Sequence, residues 1–203
     1  LPLLSLWRTI YYLPSITSGV AVALMWSWVF QPNFGPINVT LSTLFGIQGP
    51  GWLVDTRWVV PTFIIMSLWS FGGPMLIYLA AMQGISTELY EAAEIDGASR
   101  FVQMVRITIP LITPVIFFNL VMNLIASFQS FTNAFIITQG GPNHASYFYI
   151  YYLFQNAFQY FRMGFASAQA WILFVVIMTL TIIAFRSQRF WVYYEGAPQD
   201  EKR

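Results

Sequence analysis

Long runs of apolar residues that carry no charge alternate along this chain with short polar segments. Asp, Glu, Lys and Arg are absent from four long stretches, residues 9–54, 58–87, 107–161 and 163–185. A helix needs about 20 mostly apolar residues to cross the hydrocarbon core of a bilayer, and a charge at its centre costs about 2.5–3.5 kcal/mol. The pattern therefore predicts an all-α membrane protein with four spanning helices, at Ser15–Phe30, Val59–Met82, Ile109–Asn133 and Phe165–Phe185, with Tyr11 as an alternative start for the short first span.

The two longer connections between predicted spans contain turn residues and short helical patterns. Residues 37–45 are predicted to form a short interfacial helix, and the Gly-rich sequence 138–143 ends the third span. In the segment Gln139–Arg162 aromatic residues recur at helical spacing, at Tyr147, Tyr151, Phe154 and Phe158. This spacing predicts an interfacial helix that runs into the last span. Its rings either anchor it at the membrane surface or contact an external partner.

Basic residues decide which side of the membrane each segment occupies, because cytoplasmic segments carry an excess of Lys and Arg. With both chain ends inside, the cytoplasmic side holds seven such residues: Arg8, Arg100, Arg106, Arg186, Arg189, Lys202 and Arg203. The outside then holds only Arg57 and Arg162. The loop Gln83–Arg106 and the polar tail 186–203 are therefore predicted to be cytoplasmic, and the tail is predicted to end in disorder.

Composition excludes several classes of function. Hydrophobic residues make up 57% of the chain and charged residues 8%, against about 25% charged in typical soluble domains. A net charge of +1 gives no electrostatic basis for binding nucleic acid, and the absence of Cys with a single His excludes a thiolate or histidine-cluster metal site. The predicted spans lack Asp, Glu, His and Cys, so no catalytic residue of an intramembrane enzyme is predicted. The chain has no Gly-rich loop followed by Lys-Ser/Thr, so neither ATP nor another cofactor is expected to bind it.

The loop Gln83–Arg106 differs from the rest of the chain because it concentrates acidic residues. Between Asp55 and Glu195 every acidic residue falls here, at Glu88, Glu91, Glu94 and Asp96. Ser86 or Thr87 can cap a helix at this point, and acidic residues favour a helix N-terminus. The sequence therefore predicts a short cytoplasmic helix that begins near Ser86.

One face of this predicted helix is built from small residues. Leu89, Ala92, Ala93 and Asp96 share that face at helical spacing. Gly97 then ends the helix or permits a close backbone approach, and a second short helix is predicted before Pro110 and Pro114 open the next span. Such a helix suits contact with another protein, while an interfacial connector without a partner fits the same pattern.

The sequence Glu91-Ala92-Ala93-Glu94-Ile95-Asp96-Gly97-Ala98, followed by Ile107-Thr108-Ile109-Pro110 and Pro114, resembles the EAA loop of ATP-binding-cassette (ABC) importer permeases. In that family the loop forms a coupling helix that docks in a groove of the cytoplasmic ATPase subunit. The resemblance implies a role in ATPase coupling for six residues, Glu91, Ala92, Ala93, Asp96, Gly97 and Ala98. Met104 stands where these permeases often carry Phe, a packing change compatible with docking. Residues 83–106 are called the coupling loop from here on.

Further matches cover nearly the whole chain and favour the carbohydrate-uptake, maltose-type branch of the family. They are Arg8-Thr9 with Leu13-Pro14, Gly35 with Asn38, Trp52-Leu53, Leu79–Ile85 and Thr138–Pro142. Because the family commonly has six spans, the resemblance implies that residues 1–203 form one permease domain without its two N-terminal spans. It also implies that the chain lies in a bacterial cytoplasmic (inner) membrane, with lipid around its spans, and that it has three protein partners. These are a cytoplasmic ATPase dimer, a second, related permease subunit and an extracytoplasmic solute-binding protein.

Polar side chains in the third predicted span mark a candidate path for the solute. At 100° per residue, one face of a continuous helix would carry Asn119, Asn123, Ser130 and Asn133. Amide groups donate and accept hydrogen bonds, which suits solutes that carry hydroxyl groups. The alternative is that these residues hydrogen-bond to neighbouring helices, as polar groups do in membrane bundles.

Together these features predict a permease subunit of an ATP-driven, binding-protein-dependent importer, with hydrolysis left to a partner and sugars as the favoured solutes. An importer of amino acids or peptides shares the coupling loop but fits the Gly140-Gly141-Pro142 segment less well, and a polyol importer is a further alternative. A passive channel requires no such loop, so the dependence of transport on ATP separates a channel from an importer.

Overall fold

The computed structural model describes residues 4–194, and every regular element among them is helical, which confirms the predicted all-α fold. The helices in chain order are α1 Leu4–Ile16, α2 Gly19–Val29, α3 Pro36–Phe45, α4 Val59–Ser67, α5 Gly72–Gln83, α6 Thr87–Ile95, α7 Arg100–Gln103, α8 Ile109–Phe128, α9 Tyr149–Phe154 and α10 Met163–Trp191. A 3-10 turn follows α4 at Leu68–Ser70, and wide π-turns occupy Met104–Thr108, Ala134–Thr138 and Gln155–Gln159. The end of the tail, for which disorder was predicted, lies outside the described residues.

Two continuous helices of the described chain are long and apolar enough to cross a membrane, Arg100–Phe128 and Met163–Trp191. Each has 29 residues, which corresponds to about 43 Å and exceeds a hydrocarbon core of about 30 Å. Two broken pairs, Leu6–Ile16 with Gly19–Val29 and Val59–Ser70 with Gly72–Gln83, add two more spans if each pair counts as one. The predicted number of four is therefore the upper count, and the predicted fourth span lies inside α10.

The first predicted span is interrupted rather than continuous. The chain bends by 97° between Leu6–Ile16 and Gly19–Val29, and Ser18 has the non-helical angles φ −54° and ψ 129°. Pro14 lies inside α1, where its missing N–H weakens the helix shortly before the bend. The predicted start at Ser15 is therefore wrong, since the membrane-length segment of this pair turns sharply and α2 begins only at Gly19.

The third predicted span is also shorter than the apolar pattern suggests. Helix α8 ends at Phe128, and residues 129–131 are not helical before a short helical segment that includes Ala134–Thr138. Serine at positions 127 and 130 favours a helix end, because its hydroxyl competes for backbone hydrogen bonds. The predicted end at Asn133 is therefore wrong.

The first of two compact units comprises the chain up to Gly72 together with Ala126–Val175. Its core is formed by the buried residues Phe30, Val59, Phe63 and Met66. Partly buried residues pack against this core: Trp26, Ile37, Trp52, Leu53, Ile137, Ala145 and Phe148. Residues from both longer connections between the predicted spans pack against this core, so both connections are held against the helices of the unit.

A buried amide organises the first of these connections. Helix α3 confirms that a helix forms at the predicted place, and Asn38 near its start is only 8% exposed. The Asn38 amide nitrogen donates to the carbonyl oxygens of Pro32 (2.9 Å) and Pro50 (3.2 Å), and its Oδ1 accepts from the Trp52 indole N–H at 2.7 Å. A Cβ at Gly49 would lie 1.9 Å from Asn38 Oδ1, so only glycine lets the backbone pass this close.

The second compact unit comprises Gly73–Ile125 and the chain from Val176 onward. Its buried core is formed by Phe117, Val121 and Val192, with Ile125 and Ala184 packed against it. The unit contains the whole coupling loop, and α7 continues through the π-turn into α8 as one helix from Arg100 to Phe128. The second short helix predicted in the loop is therefore the beginning of the third span.

Two prolines shape the beginning of α8. Pro110 cannot donate to the carbonyl of Arg106, and the π-turn Met104–Thr108 precedes it, with the Ile109 N–H donating to the Met104 carbonyl. Pro114 likewise leaves the carbonyl of Pro110 without its usual donor. The hydroxyl of Thr113 takes that place and donates to the Pro110 oxygen at 2.6 Å.

Candidate functional site

The helix predicted in the coupling loop is α6, and its N-terminus is capped as the sequence predicts. Ser86 has the non-helical angles φ −59° and ψ 133°, and its hydroxyl oxygen accepts from the N–H of Glu88 at 3.3 Å. Glu88 lies in the first turn, where a carboxylate is favoured by the partial positive charge of the helix N-terminus. Of the two predicted caps, Ser86 is the one used.

A glycine turn ends this helix. Gly97 has φ +76°, the N–H of Ala98 donates to the Ala93 carbonyl at 2.9 Å, and the N–H of Gly97 donates to the Glu94 carbonyl at 3.0 Å. These two bonds define a Schellman motif, in which a left-handed residue satisfies the last carbonyls of a helix. A Cβ at Gly97 would meet no atom within 4 Å, so the chain itself leaves the outer side of this turn open.

Two apolar side chains project on either side of the Gly97 turn. Ile95 is 88% exposed and Phe101 is 70% exposed. Ile95 precedes the membrane-length helix Arg100–Phe128, and Phe101 lies in its first turn. Both are next to the exposed charged residues Glu94, Asp96 and Arg100, which favours a polar environment over lipid. The helical spacing predicts the face that carries Leu89 and does not single out Ile95 or Phe101, although large apolar residues next to a charged helix end are a usable signal for a docking surface.

Polar contacts hold the inner side of the loop in place. The hydroxyls of Tyr90 and Thr108 are 2.8 Å apart, and the buried Gln103 donates from its amide to the Ala98 carbonyl at 3.2 Å. The Ser99 hydroxyl accepts from the N–H of Val102 at 3.5 Å and caps α7. The loop is therefore a preorganised projection whose outer side carries the residues assigned to coupling.

Of the six residues assigned to ATPase coupling, four are exposed and two are half-buried. Glu91, Ala92, Asp96 and Gly97 are exposed, whereas Ala93 and Ala98 are half-buried. The carbonyl of Ala93 and the N–H of Ala98 close the Schellman turn. These two alanines therefore shape the turn, while the other four contribute to its open surface.

The polar residues of the candidate path fall into two groups. Asn119 is buried and donates to the Val115 carbonyl at 3.0 Å, and Asn123 is exposed and donates to the Asn119 carbonyl at 2.8 Å. Ser130 and Asn133 are half-buried and lie beyond the end of α8. The single helical face predicted for all four therefore does not exist, although each remains a candidate for contact with solute.

The Gly-Gly-Pro segment of the second connection forms a polar cleft of about 320 Å³. The Ser146 hydroxyl donates to the Gly141 carbonyl and is 2.6 Å from the Thr138 hydroxyl. A Cβ at Gly140 would lie 2.5 Å from the Tyr147 ring, so glycine is required there. The aromatic helix predicted here is present as α9 and the following π-turn, but Phe161 with φ +55° separates it from α10.

The cleft is closed on one side by tyrosine hydroxyls. Burial raises the pKa of Tyr147, and the neighbouring hydroxyls of Tyr160, Tyr151 and Tyr152 raise it further. The Tyr147 hydroxyl donates to the amide oxygen of Gln155, and the raised pKa extends the protonated form further above neutral pH. Among the described residues no cluster of three or more His, Cys, Asp or Glu side chains is arranged to hold a metal ion.

Comparison with known families gives one match over almost the entire chain. Residues 2–192 match the family described as "Binding-protein-dependent transport system inner membrane component". The chain is 45% identical over 195 residues to a probable ABC transporter permease protein, YesP, of Bacillus subtilis, covering 95% of this chain and 63% of that protein. It is 31% identical over 189 residues to the lactose transport system permease protein LacF of Rhizobium radiobacter, covering 91% and 63% of the two chains.

Solved structures show the same fold. A chain of a bacterial ABC transporter involved in the import of the acidic polysaccharide alginate superposes with a TM-score of 0.82 at 28% identity, over 91% of this chain and 65% of that chain. A second structure, the alginate transporter in complex with an alginate pentasaccharide-bound periplasmic protein, gives a TM-score of 0.83 at 29% identity. The present chain thus spans about two thirds or less of the length of these relatives.

Proposed function

This chain belongs to the family of binding-protein-dependent transport system inner membrane components, and from that membership we propose that it is a permease subunit of an ATP-driven importer of sugars or related solutes. In this role the chain provides part of the path through the membrane. Movements of a partner ATPase, transmitted through the coupling loop, open the path alternately to the two sides.

The observation that carries the proposal is the open, preorganised turn at the end of α6. Ile95 and Phe101 are 88% and 70% exposed beside this turn, and, apart from the adjoining residues, no atom of the described chain lies within 4 Å of a Cβ placed at Gly97. Burying an Ile or Phe side chain on docking contributes about 1.5–3 kcal/mol. The turn therefore offers a projecting, partly apolar surface of the kind that fits a groove on another protein.

The partner proposed for this surface is a cytoplasmic dimer of ATP-binding-cassette ATPases. The chain contains no Gly-rich loop followed by Lys-Ser/Thr, the usual phosphate cradle of such enzymes. Hydrolysis is therefore assigned to the partner, and this chain is proposed to act as a transport subunit rather than an enzyme. The acidic residues Glu91 and Glu94 on the same helix give the docking surface a negative charge to be matched by basic groups.

The proposed location is the bacterial cytoplasmic (inner) membrane, with both described chain ends inside. The family description names an inner membrane component, and the distribution of Lys and Arg, seven inside against two outside, supports this orientation. A solute-binding protein would then dock on the outer side, as the periplasmic protein does in the alginate complex. A second, related permease chain is proposed to complete the path.

Sugars are the proposed solute class because several similar permeases are named for them. The names include lactose and starch degradation products, and one solved relative imports alginate. Relatives named for sn-glycerol-3-phosphate and for the acidic alginate also indicate that this fold serves charged solutes. The uncharged polar residues of α8 therefore do not restrict the solute to neutral sugars.

Co-purification tests the proposal directly. The full-length protein, extracted from its native membranes in mild detergent with cross-linking, is expected to bring down an ATPase. Replacing both Ile95 and Phe101 with alanine removes two exposed side chains from the docking surface and should reduce ATPase recovery by about tenfold or more. Recovery of no ATPase with the unchanged protein would overturn the importer assignment and favour a channel.

A matched control variant is available on the proposed outer side. Leu44 and Phe45 are 71% and 67% exposed at the end of α3. Replacing this aliphatic–aromatic pair with alanine removes similar apolar surface and is expected to leave ATPase recovery unchanged. An equal loss in both double variants would mean that exposed apolar residues hold the complex in detergent non-specifically.

We also propose that the polar residues Asn119, Asn123, Ser130 and Asn133 contribute to the solute path. Asn123 is the sharpest test because it is exposed and its amide nitrogen donates to the Asn119 carbonyl of α8. This leaves the amide oxygen as the group proposed to accept from a solute hydroxyl. Asn123→Ala is expected to raise the KM for uptake by about fivefold, which corresponds to about one hydrogen bond. The neighbouring Met122→Ala, from a side chain 51% exposed, should leave the KM within about twofold; equal KM values for both variants would contradict the path role.

A further inference from the structure

The C-terminal end of α10 is fastened to the helix that leads out of the coupling loop. The backbone N–H of Tyr193 donates to the Thr113 hydroxyl oxygen at 2.8 Å, across 80 residues of sequence. Val192 is 7% exposed and packs in the buried core with Phe117 and Val121. The Phe117 ring also contacts Trp191, with ring centroids 6.0 Å apart. These contacts are called the C-terminal clasp.

The Thr113 hydroxyl makes two hydrogen bonds in the clasp, one as donor and one as acceptor, and its surroundings determine which is which. Its hydrogen is directed to the carbonyl of Pro110, which Pro114 leaves without a backbone donor. Its oxygen is then free to accept from Tyr193, whose N–H follows the last turn of α10. Thr113 is 7% exposed, so a residue without a hydroxyl would leave the Pro110 carbonyl and the Tyr193 N–H without this buried partner.

The clasp lies close to the coupling loop in the same compact unit. A cleft of about 410 Å³ is lined by Gly84, Ser86 and Leu89 from the beginning of the loop, by Pro114 of α8, and by Tyr193. The same α8 continues without a break from Arg100, at the other end of the loop. A displacement of the loop would therefore reach α8 directly and α10 through the clasp.

We infer that Thr113 is a positioning residue for coupling: it joins the end of α10 to α8, so that one movement of the coupling loop displaces two spans together. The inference rests on the proposed function. Without the clasp, the partner would still dock on Ile95 and Phe101, and ATP would still be hydrolysed. The end of α10 would no longer follow α8, and solute moved per ATP would fall.

The test uses Thr113→Val in the full-length permease, reconstituted with its ATPase partner and solute-binding protein. Valine matches the shape of threonine without the hydroxyl, and we expect at least a threefold fall in solute transported per ATP hydrolysed, with ATPase recovery on co-purification unchanged. Thr113→Ser restores the hydroxyl and is expected to return the ratio to within about twofold of the unchanged protein. Failure of Thr113→Ser to restore the ratio would assign the effect to packing and overturn the inference.

Thr181→Val is the control for replacing a threonine hydroxyl with a methyl group. Thr181 lies on α10 in the same unit, and its buried hydroxyl has no hydrogen-bond partner among the described residues. Losing this hydroxyl should therefore leave the ratio of solute to ATP unchanged. A fall equal to that of Thr113→Val would mean that any Thr→Val change in this unit impairs transport, and would overturn the inference.

Hydrogen exchange examines the clasp independently of transport. In Thr113→Val the amide of Tyr193 should exchange about fivefold faster, the change expected for loss of one hydrogen bond. Faster exchange with an unchanged solute-to-ATP ratio would overturn the coupling role while leaving the proposed function intact. Failure of the proposed function would appear differently, as the absence of an ATPase in the co-purification of the unchanged protein.

Discussion

Replacing Gly97 with aspartate is expected to reduce solute uptake by at least tenfold while the protein still inserts in the membrane in normal amount. Gly97 has φ +76°, and, beyond the adjoining residues, an added Cβ would meet no atom of the described chain within 4 Å. Aspartate tolerates the left-handed region better than most residues, so the cost to the fold should be about 1 kcal/mol. The added bulk and charge would instead meet the docked partner, where an unpaired buried charge costs several kcal/mol. Uptake into cells, normalised to permease in the membrane, measures the effect.

Gly46 provides a matched control for this substitution. It ends α3 with φ +65°, and a Cβ placed there also meets nothing within 4 Å. Gly46→Asp therefore introduces the same residue into the same backbone conformation, on the side proposed to face away from the ATPase. Uptake should remain within about twofold of normal. An equal loss in both variants would assign the effect of Gly97→Asp to backbone strain, and normal uptake with Gly97→Asp would contradict the coupling role.

The coupling helix is the part of the fold that the sequence predicts best, because short-range chemistry determines it. A Ser cap at position 86 and a glycine at position 97 act within one or two helical turns. Both signals are therefore readable without knowledge of tertiary contacts. The exposure of Ile95 and Phe101 is different, because it depends on how α6 and α7 lie on the rest of their unit, and the apolar pattern alone assigns such residues to a core.

The break within the second predicted span coincides with a long-range contact that the apolar pattern does not contain. A Cβ at Gly72 would lie 2.0 Å from the carbonyl oxygen of Tyr11, so the backbone of α1 passes directly against this glycine. At the same place the chain bends by 45° between Val59–Ser70 and Gly72–Gln83, so the close approach of α1 and the bend occur together. Hydrophobicity determines which residues are compatible with lipid, whereas contacts of this kind determine where the helix turns.

The candidate solute path illustrates the same limit. Its predicted face assumes an unbroken helix with 100° per residue from Asn119 to Asn133, but α8 ends at Phe128. A period measured along the sequence is meaningful only within one regular element. A shared polar face is therefore still supported for Asn119 and Asn123, which both lie on α8. Ser130 and Asn133 require separate tests.

Asn38→Ala is expected to lower the melting temperature of the purified protein by about 10 °C. The amide makes three hydrogen bonds, to the carbonyls of Pro32 and Pro50 and from the indole of Trp52, while it is 8% exposed. Each such bond contributes about 1 kcal/mol, and three together correspond to about 10 °C for a chain of this size. Thermal unfolding in detergent, followed by tryptophan fluorescence, measures the shift.

Asn33→Ala in the same connection separates the hydrogen bonds of Asn38 from the general effect of losing an amide. The side chain of Asn33 is exposed, so its removal should change the free energy of unfolding by no more than about 0.5 kcal/mol. A melting temperature for Asn38→Ala close to that of Asn33→Ala would contradict the role assigned to the buried amide. The expected difference follows from burial. At the exposed position 33 water replaces any hydrogen bond that the amide loses. At the buried position 38 loss of the amide leaves polar groups of Trp52, Pro32 and Pro50 unpaired.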